Sequence, residues 1–165
     1  MPDKELEEIH LVKEEYNKYY RPQYTSNDIT KRFDITMGKF RDLVDRGFIE
    51  PSEKSTGQGK RALFNRIDIY ALKLFLVLVK KGFSRKLASS LSQRFRGIDS
   101  PLKIFDTVAF ITIIQNGVET IKTEYFVGSD GAEINIAPLL DQQGFKDMII
   151  VNLFDIRMEV DKALE

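Results

Sequence analysis

Basic side chains supply the clearest chemistry that this sequence offers. Lys39 and Arg41 follow Thr36 closely, in a segment whose pattern predicts the first turns of a helix. Ammonium and guanidinium groups donate hydrogen bonds to the N7 and O6 atoms of guanine, and a helix N-terminus is the part that reaches base edges in a major groove. The pattern therefore predicts that Lys39 and Arg41 contact DNA bases.

A second basic set follows about fifteen residues later in a polar stretch. Lys54, Lys60 and Arg61 stand beside Gly57 and Gly59. Cations on a glycine-rich loop are suited to phosphate oxygens, and such contacts give salt-dependent affinity without reading sequence. A solvated loop rich in lysine is the alternative interpretation.

Other chemistries find little support in the residue types present. The chain has no cysteine and one histidine, His10, so we expect no disulfide, no thiolate metal site and no histidine cluster. Ser100 and Ser129 have no histidine near them, so no catalytic triad is proposed. The acidic residues of the C-terminal half lack the spacing of a calcium loop. We expect neither an enzyme nor a cofactor.

The net charge of zero conceals three unequal segments. Residues 1–23 carry a net charge of −2, and residues 97–165 carry −7. Residues 24–96 contain 16 basic and 7 acidic residues, a net charge of +9. A basic segment between acidic ends favours a polyanionic partner such as double-stranded DNA. Docking of oppositely charged halves would give the same pattern.

The elements that must position the basic residues can be predicted from caps and apolar spacing. A short helix is predicted over 26–33, with Thr25 or Ser26 as its cap, then a tight turn over 33–35. A second helix is predicted over about 36–46, capped by Thr36 and ended by Gly47. This order presents the second helix as the reader of a major groove.

A hairpin and two further helices are predicted to complete the basic segment. The hairpin spans about 50–64, with a polar tip over 52–60 within a wing over 52–63. A strongly apolar helix is predicted from Asp68 to about Lys81, and a last helix over 85–95. Before them, residues 1–23 hold a predicted amphipathic helix over 3–20, whose apolar face packs on the main domain or on a second copy.

The C-terminal residues predict a separate module. Composition changes over 97–101, and residues 101–165 read as strands and one helix, so the fold class is α+β. Strands are predicted over 107–114 and 118–127 around the hairpin dipeptide Asn116-Gly117. Shorter strands are predicted over 132–136 and 148–151, and a final helix over 153–164 capped by Asn152.

Two roles for this module remain open at the level of sequence. It could be a dimerisation or partner-binding platform. It could instead hold an apolar effector among aromatic side chains, although an aromatic set is more often core than pocket. The aromatic residues concerned are Phe105, Phe110, Tyr125, Phe126 and Phe145.

The basic segment resembles the DNA-binding domain of the MerR family of transcriptional regulators. The resemblance covers residues 24–95. It is carried by Ile29-Thr30-Lys31-Arg32-Phe33-Asp34-Ile35-Thr36, Phe40-Arg41, Gly47-Phe48-Ile49-Glu50-Pro51, Phe64, Asp68 and Gly82-Phe83-Ser84, in that order and spacing.

The resemblance implies a winged helix-turn-helix domain over 24–96 that binds promoter DNA as a homodimer. It makes RNA polymerase a candidate partner. Asp42 and Leu43 stand where the family has aromatics, and no long dimerisation helix is evident after residue 96. From the pattern and the resemblance together, the residues expected to contact DNA are Lys31, Arg32, Thr36, Met37, Lys39, Arg41, Lys54, Lys60, Arg61 and Arg66.

An architectural, excisionase-like DNA-binding protein is the alternative function, with the acidic module binding another protein. A ligand-responsive sensor is a third. We expect no membrane segment, because the most apolar stretch, Ile69–Val79, is shorter than the roughly 20 residues that a span needs. The residues after Met1 do not resemble a signal peptide, and we expect a cytoplasmic protein.

Overall fold

The computed structural model describes residues 2–57, 60–96, 106–126 and 137–165 of a mixed α+β chain. Its contacts divide into two compact units. The first consists of Met1–Ile98 with Val160–Glu165, and the second consists of Asp99–Glu159. The sequence predicts one module over 101–165, whereas the contacts place its last six residues in the first unit.

Helix α1 (Pro2–Tyr20) opens the first unit. Its end packs near the long helix of this unit, where the rings of Tyr19 and Tyr70 lie 6.5 Å apart. Residues 11–18 of α1 are all exposed, and Leu11 and Val12 are 64% and 67% exposed. The predicted helix is thus present, and most of its described apolar face lies outside the core.

Helices α2 (Ser26–Arg32) and α3 (Met37–Asp45) form because each starts at a threonine that satisfies free backbone N–H groups. Thr25 caps α2, and Thr36 caps α3 by accepting a hydrogen bond from the N–H of Lys39 at 3.3 Å. Asp34 takes a positive φ of 50° in the turn between the helices. Ile29, Phe40 and Leu43 are buried on the inner faces.

The loop after α3 is held by fewer strand contacts than the sequence predicts. Strand β2 (Leu63–Phe64) pairs antiparallel with strand β1 (Tyr24–Thr25), a partner that the sequence did not predict. On the other side, Glu53 forms one isolated bridge with Leu63. The predicted hairpin over 50–64 is therefore reduced to this bridge. The residues described around it, 52–57 and 60–62, are termed the 52–62 loop.

Helix α4 (Arg66–Lys80) runs through the core of the first unit. It starts at Arg66, two residues before the predicted start at Asp68, because Asn65 is its N-terminal cap. Nine of its residues are buried, including Tyr70 and Phe75. Helix α5 (Arg85–Gln93), capped by Ser84, packs against α4 and adds Ala88 and Leu91 to the core.

The second unit is built on an antiparallel sheet with the order β4-β3-β5. Its strands are β3 (Thr107–Gln115), β4 (Val118–Phe126) and β5 (Phe145–Asn152). Asn116 and Gly117 join β3 to β4 with positive φ angles of 53° and 76°, as the dipeptide predicts. A short helix α6 (Ala137–Leu140) precedes β5, and helix α7 (Leu153–Leu164) follows it directly.

The aromatic side chains of the second unit do not meet on one face of the sheet. Phe110 and Tyr125 lie on one face, since Tyr125 pairs with Val108 in register. Phe145 packs on the other face, against Ala109, Ile111 and Ile113. Because these rings are separated by the sheet, they cannot line one effector pocket. The predicted boundary at 97–101, the strand at 132–136 and Phe105 lie outside the described residues.

Candidate nucleic-acid interface

A basic groove of about 610 Å³ lies where α2, α3 and the 52–62 loop approach one another. The start of α2 and the first turns of α3 form one wall, and the loop forms the opposite wall. The groove is lined by Thr25, Ser26, Asn27, Met37, Arg41, Ser55, Lys60, Arg61 and Ala62. Four of these were predicted as DNA contacts, and they come from two segments that are distant in sequence.

Arg41 and Met37 reach the groove from the same side of α3. They are four residues apart, and residues at this spacing are neighbours on a helix surface. Arg41 is exposed, and within the described part of the chain its guanidinium has neither an ion pair nor a hydrogen bond. Five donors in a planar fork are thus available to a ligand in the basic groove.

The opposite wall carries the loop cations. Lys60 and Arg61 line the basic groove and also a neighbouring concavity of about 590 Å³ that contains Lys54. Hydrogen bonds within the loop fix its shape, since the hydroxyl of Ser55 donates to the carbonyl of Lys60 at 2.7 Å. Three cations are therefore grouped along one exposed edge, as the sequence predicts for phosphate contacts.

Asp68 anchors the start of this loop, a role that the sequence reasoning missed. Its carboxylate is only 2% exposed and accepts hydrogen bonds from the N–H and hydroxyl of Ser52, at 3.1 and 2.5 Å. The same group binds the guanidinium of Arg96 at 2.7 Å and completes the cap of α4 with Asn65. The Asn65-x-x-Asp68 spacing of a capping box was the available signal.

A capping box likewise fixes the start of α2, which forms part of the groove wall. Asp28 accepts hydrogen bonds from the hydroxyl and the N–H of Thr25 at 2.6 and 2.8 Å. The hydrogen bond from the Thr25 side chain, more than any other cause, holds the pKa of Asp28 below its usual range. Ser26, which the sequence offers only as a possible cap, and Asn27, which it does not single out, thereby line the basic groove, and within the described residues their side chains have no hydrogen-bond partner.

Two predicted contacts, Arg32 and Arg66, have protein partners instead. The guanidinium of Arg66 binds Asp161 at 2.7 Å and is 15% exposed, and Arg32 donates to the carbonyl of Ala163. Burial lowers the pKa of Arg66, but a hydrogen bond with Tyr24 and attraction to Asp161 outweigh it, and the pKa is raised. Neither residue lines the basic groove, since both bind residues in the last turn of α7.

The remaining predicted residues lie on exposed parts of the two helices. Lys31 is exposed on α2, and Lys39 is exposed on α3 without lining the basic groove. Thr36 is exposed too, but its hydroxyl serves as the cap of α3. The structure therefore brings together Met37, Arg41, Lys60 and Arg61, and it leaves Lys31, Lys39 and Thr36 at the margin.

Three acidic side chains of the first unit are bound away from the basic groove, and Glu53 lines only the neighbouring concavity. Asp42 pairs with Arg46 at 2.6 Å and with Arg85 at 3.5 Å, away from Arg41. Asp28 and Asp68 serve as caps. Because these carboxylates are engaged locally, the groove itself is lined by cations and neutral groups, and its field favours an anion.

Other kinds of site find no support in the described ranges. Within them, no group of three or more acidic or histidine side chains could hold a metal ion. Nor does any helix described there have the length and apolarity that crossing a bilayer requires. In comparisons with known proteins, no family model matches the chain and no curated protein sequence is significantly similar to it.

Proposed function

We propose that this protein is a sequence-specific DNA-binding transcriptional regulator that acts as a homodimer. In this proposal, residues 24–96 are a winged helix-turn-helix domain, with α3 in the major groove and the 52–62 loop as the wing on phosphates. The observation that carries the proposal is the basic groove, where a free guanidinium on a reader helix faces two cations on a loop.

The arrangement fits duplex DNA better than a small anion. Arg41 sits in the second turn of α3, the part of a recognition helix that reaches base edges. Lys60 and Arg61 line the same open concavity of about 610 Å³ as Arg41, so cations from two separate elements converge on it. Base contacts and phosphate contacts are thus available on opposite walls, as sequence-specific binding requires.

The MerR resemblance supports the same function through the order of helix, turn, helix and loop. Dimerisation is the second part of the proposal. We assign it on the resemblance and on the two-fold symmetry of most operators.

A random-library DNA selection with the purified full chain tests the proposal, performed at two salt concentrations. We expect an enriched motif of two inverted half-sites and a strong loss of affinity at the higher salt, because phosphate contacts release counterions. Salt-dependent binding without any motif would favour an architectural protein. Absence of binding at both salt concentrations would refute a nucleic-acid function for the basic groove.

A further inference from the structure

Met37 is the largest apolar side chain of the basic groove. The other lining residues are polar or cationic, apart from the small Ala62. Met37 is only partly buried, so part of its surface faces the groove. A thioether donates no hydrogen bond and accepts only weakly, and phosphate oxygens therefore gain little from it. The group that it contacts on DNA should be apolar.

The position of Met37 relative to Arg41 restricts that group further. Four residues of helix rise about 6 Å, and the two side chains lie on one face of α3. Neighbouring base pairs are separated by about 3.4 Å along the duplex. A base contacted by Met37 therefore lies within two base-pair steps of one contacted by Arg41.

We infer that Met37 reads the 5-methyl group of a thymine located within two base pairs of a guanine bound by Arg41. The thymine methyl is the apolar group that the major-groove edges of DNA present, and apolar side chains distinguish thymine through it. This inference rests on the proposed function and adds to it one of the bases that the protein selects.

Replacement of thymine by deoxyuridine tests the inference, because it removes the methyl group and leaves base pairing intact. In the site obtained by selection, each thymine is replaced in turn and the affinity of the full chain is measured. We expect one position, close to a required guanine, at which the affinity falls by about fourfold, the effect of losing one buried methyl-sized group. The other replacements should change it little.

Protein variants then assign the effect to the side chain. Met37→Ala should bind the thymine and deoxyuridine sites equally, whereas Met37→Leu should still prefer thymine. Met158→Ala removes a methionine that is 54% exposed on α7 and should keep the wild-type preference. Met37→Gln, which keeps the length of the side chain, replaces the alanine variant if thermal unfolding shows that the latter is not folded.

The outcomes separate this inference from the proposed function. Sequence-specific binding by the wild type with no sensitivity to deoxyuridine would overturn the inference alone. So would a Met37→Ala variant that still prefers thymine. Binding with no sequence preference would overturn both the inference and sequence-specific regulation.

Discussion

Arg41 and Arg61 carry the same charge but face the basic groove from different elements. Arg41 stands on a helix whose cap and buried inner face fix its direction. Arg61 belongs to an exposed loop. A guanidinium held by a rigid helix can select a base, whereas one on a loop is better suited to a phosphate, which every sequence presents.

Substitution of Arg41 should therefore change specificity as well as affinity. We expect Arg41→Ala to cost about 1–3 kcal/mol of binding free energy and to relax the preference at one base pair. Binding to a panel of single-base variants of the selected site measures both quantities.

Arg61→Ala is the matched control, since it removes the same charge from the opposite wall. It should weaken binding to all sequences alike and reduce the slope of affinity against salt concentration. An unchanged base preference in Arg41→Ala would contradict the assignment of α3 as the reader.

Sequence reasoning identifies part of the groove lining at the residue scale, and the contact of these residues with DNA stays a prediction. Met37, Arg41, Lys60 and Arg61 were predicted as contacts and line one groove. It did not foresee the protein partners of Arg66, because Asp161 lies 95 positions away. Such a pairing is decided by tertiary packing, which periodicity and caps do not encode.

At the level of elements, α3 contains a glycine near its start that the fold does not need. Gly38 is helical, and a Cβ built on it would meet nothing within 4 Å. It also lies three residues before Arg41, on the neighbouring part of the helix surface. A close approach of DNA to the backbone is one reason for a glycine here, and tolerance near a helix start is the other.

Gly38→Ala should distinguish these reasons. We expect the free energy of unfolding to rise by up to about 1 kcal/mol, because alanine is the better helix former. DNA affinity should fall, because the added methyl stands beside the reading side chain. Urea denaturation and a binding titration give the two values. Ser90→Ala, on the exposed surface of α5, should stabilise the fold without changing affinity.

Asp68 joins three elements of the first unit, namely the 52–62 loop, α4 and the end of α5. Asp68→Ala should lower the free energy of unfolding by about 3–5 kcal/mol, since it removes a buried carboxylate that binds Ser52, Asn65 and Arg96 and leaves Arg96 only a longer ion pair, to Glu50 at 3.7 Å. Denaturation monitored by circular dichroism measures the loss. Asp45→Ala, which removes an exposed carboxylate, serves as control and should have little effect. A similar small loss for both variants would contradict the anchoring role.

Helices α1 to α5, helix α7 and the β3–β4 hairpin could be predicted because they have periodic apolar patterns, caps or the Asn116-Gly117 turn, whereas the single-turn helix α6 was not predicted. Strands β1 and β2 could not be predicted, because two residues hold no alternation. The contraction of the predicted 50–64 hairpin to one bridge carries no sequence signal either, nor does the pairing of β1 with the opposite edge of β2.

Considered as a whole, the first unit depends on a contact between residues far apart in the chain. The Tyr70 side chain is fully buried, and its hydroxyl donates a hydrogen bond to the carboxylate of Asp161 at 2.5 Å. Burial, and then the hydrogen bond to Asp161, raise the pKa of Tyr70 above its usual value of 10.0. Val160 and Leu164 on the same helical turn are also buried.

This raised pKa predicts a loss of stability in alkali. Above about pH 10, the unfolded chain releases the Tyr70 proton while the folded chain keeps it, so the free energy of unfolding falls as pH rises. Urea unfolding between pH 8 and 11 should show a shallower fall for Tyr70→Phe than for the wild type. Tyr16→Phe, at a position 55% exposed, should retain the wild-type slope, and equal slopes for all three proteins would disprove the prediction.

The return of Val160–Glu165 to the first unit has a consequence for how the protein is made. Residues 99–159 lie between the two parts of this unit in the chain. During translation, the basic segment leaves the ribosome long before the residues that bind Arg66 and Tyr70 have been synthesised. The first unit therefore cannot close completely until Val160–Glu165 have been synthesised and have left the ribosome, so its last folding step follows the emergence of the intervening segment.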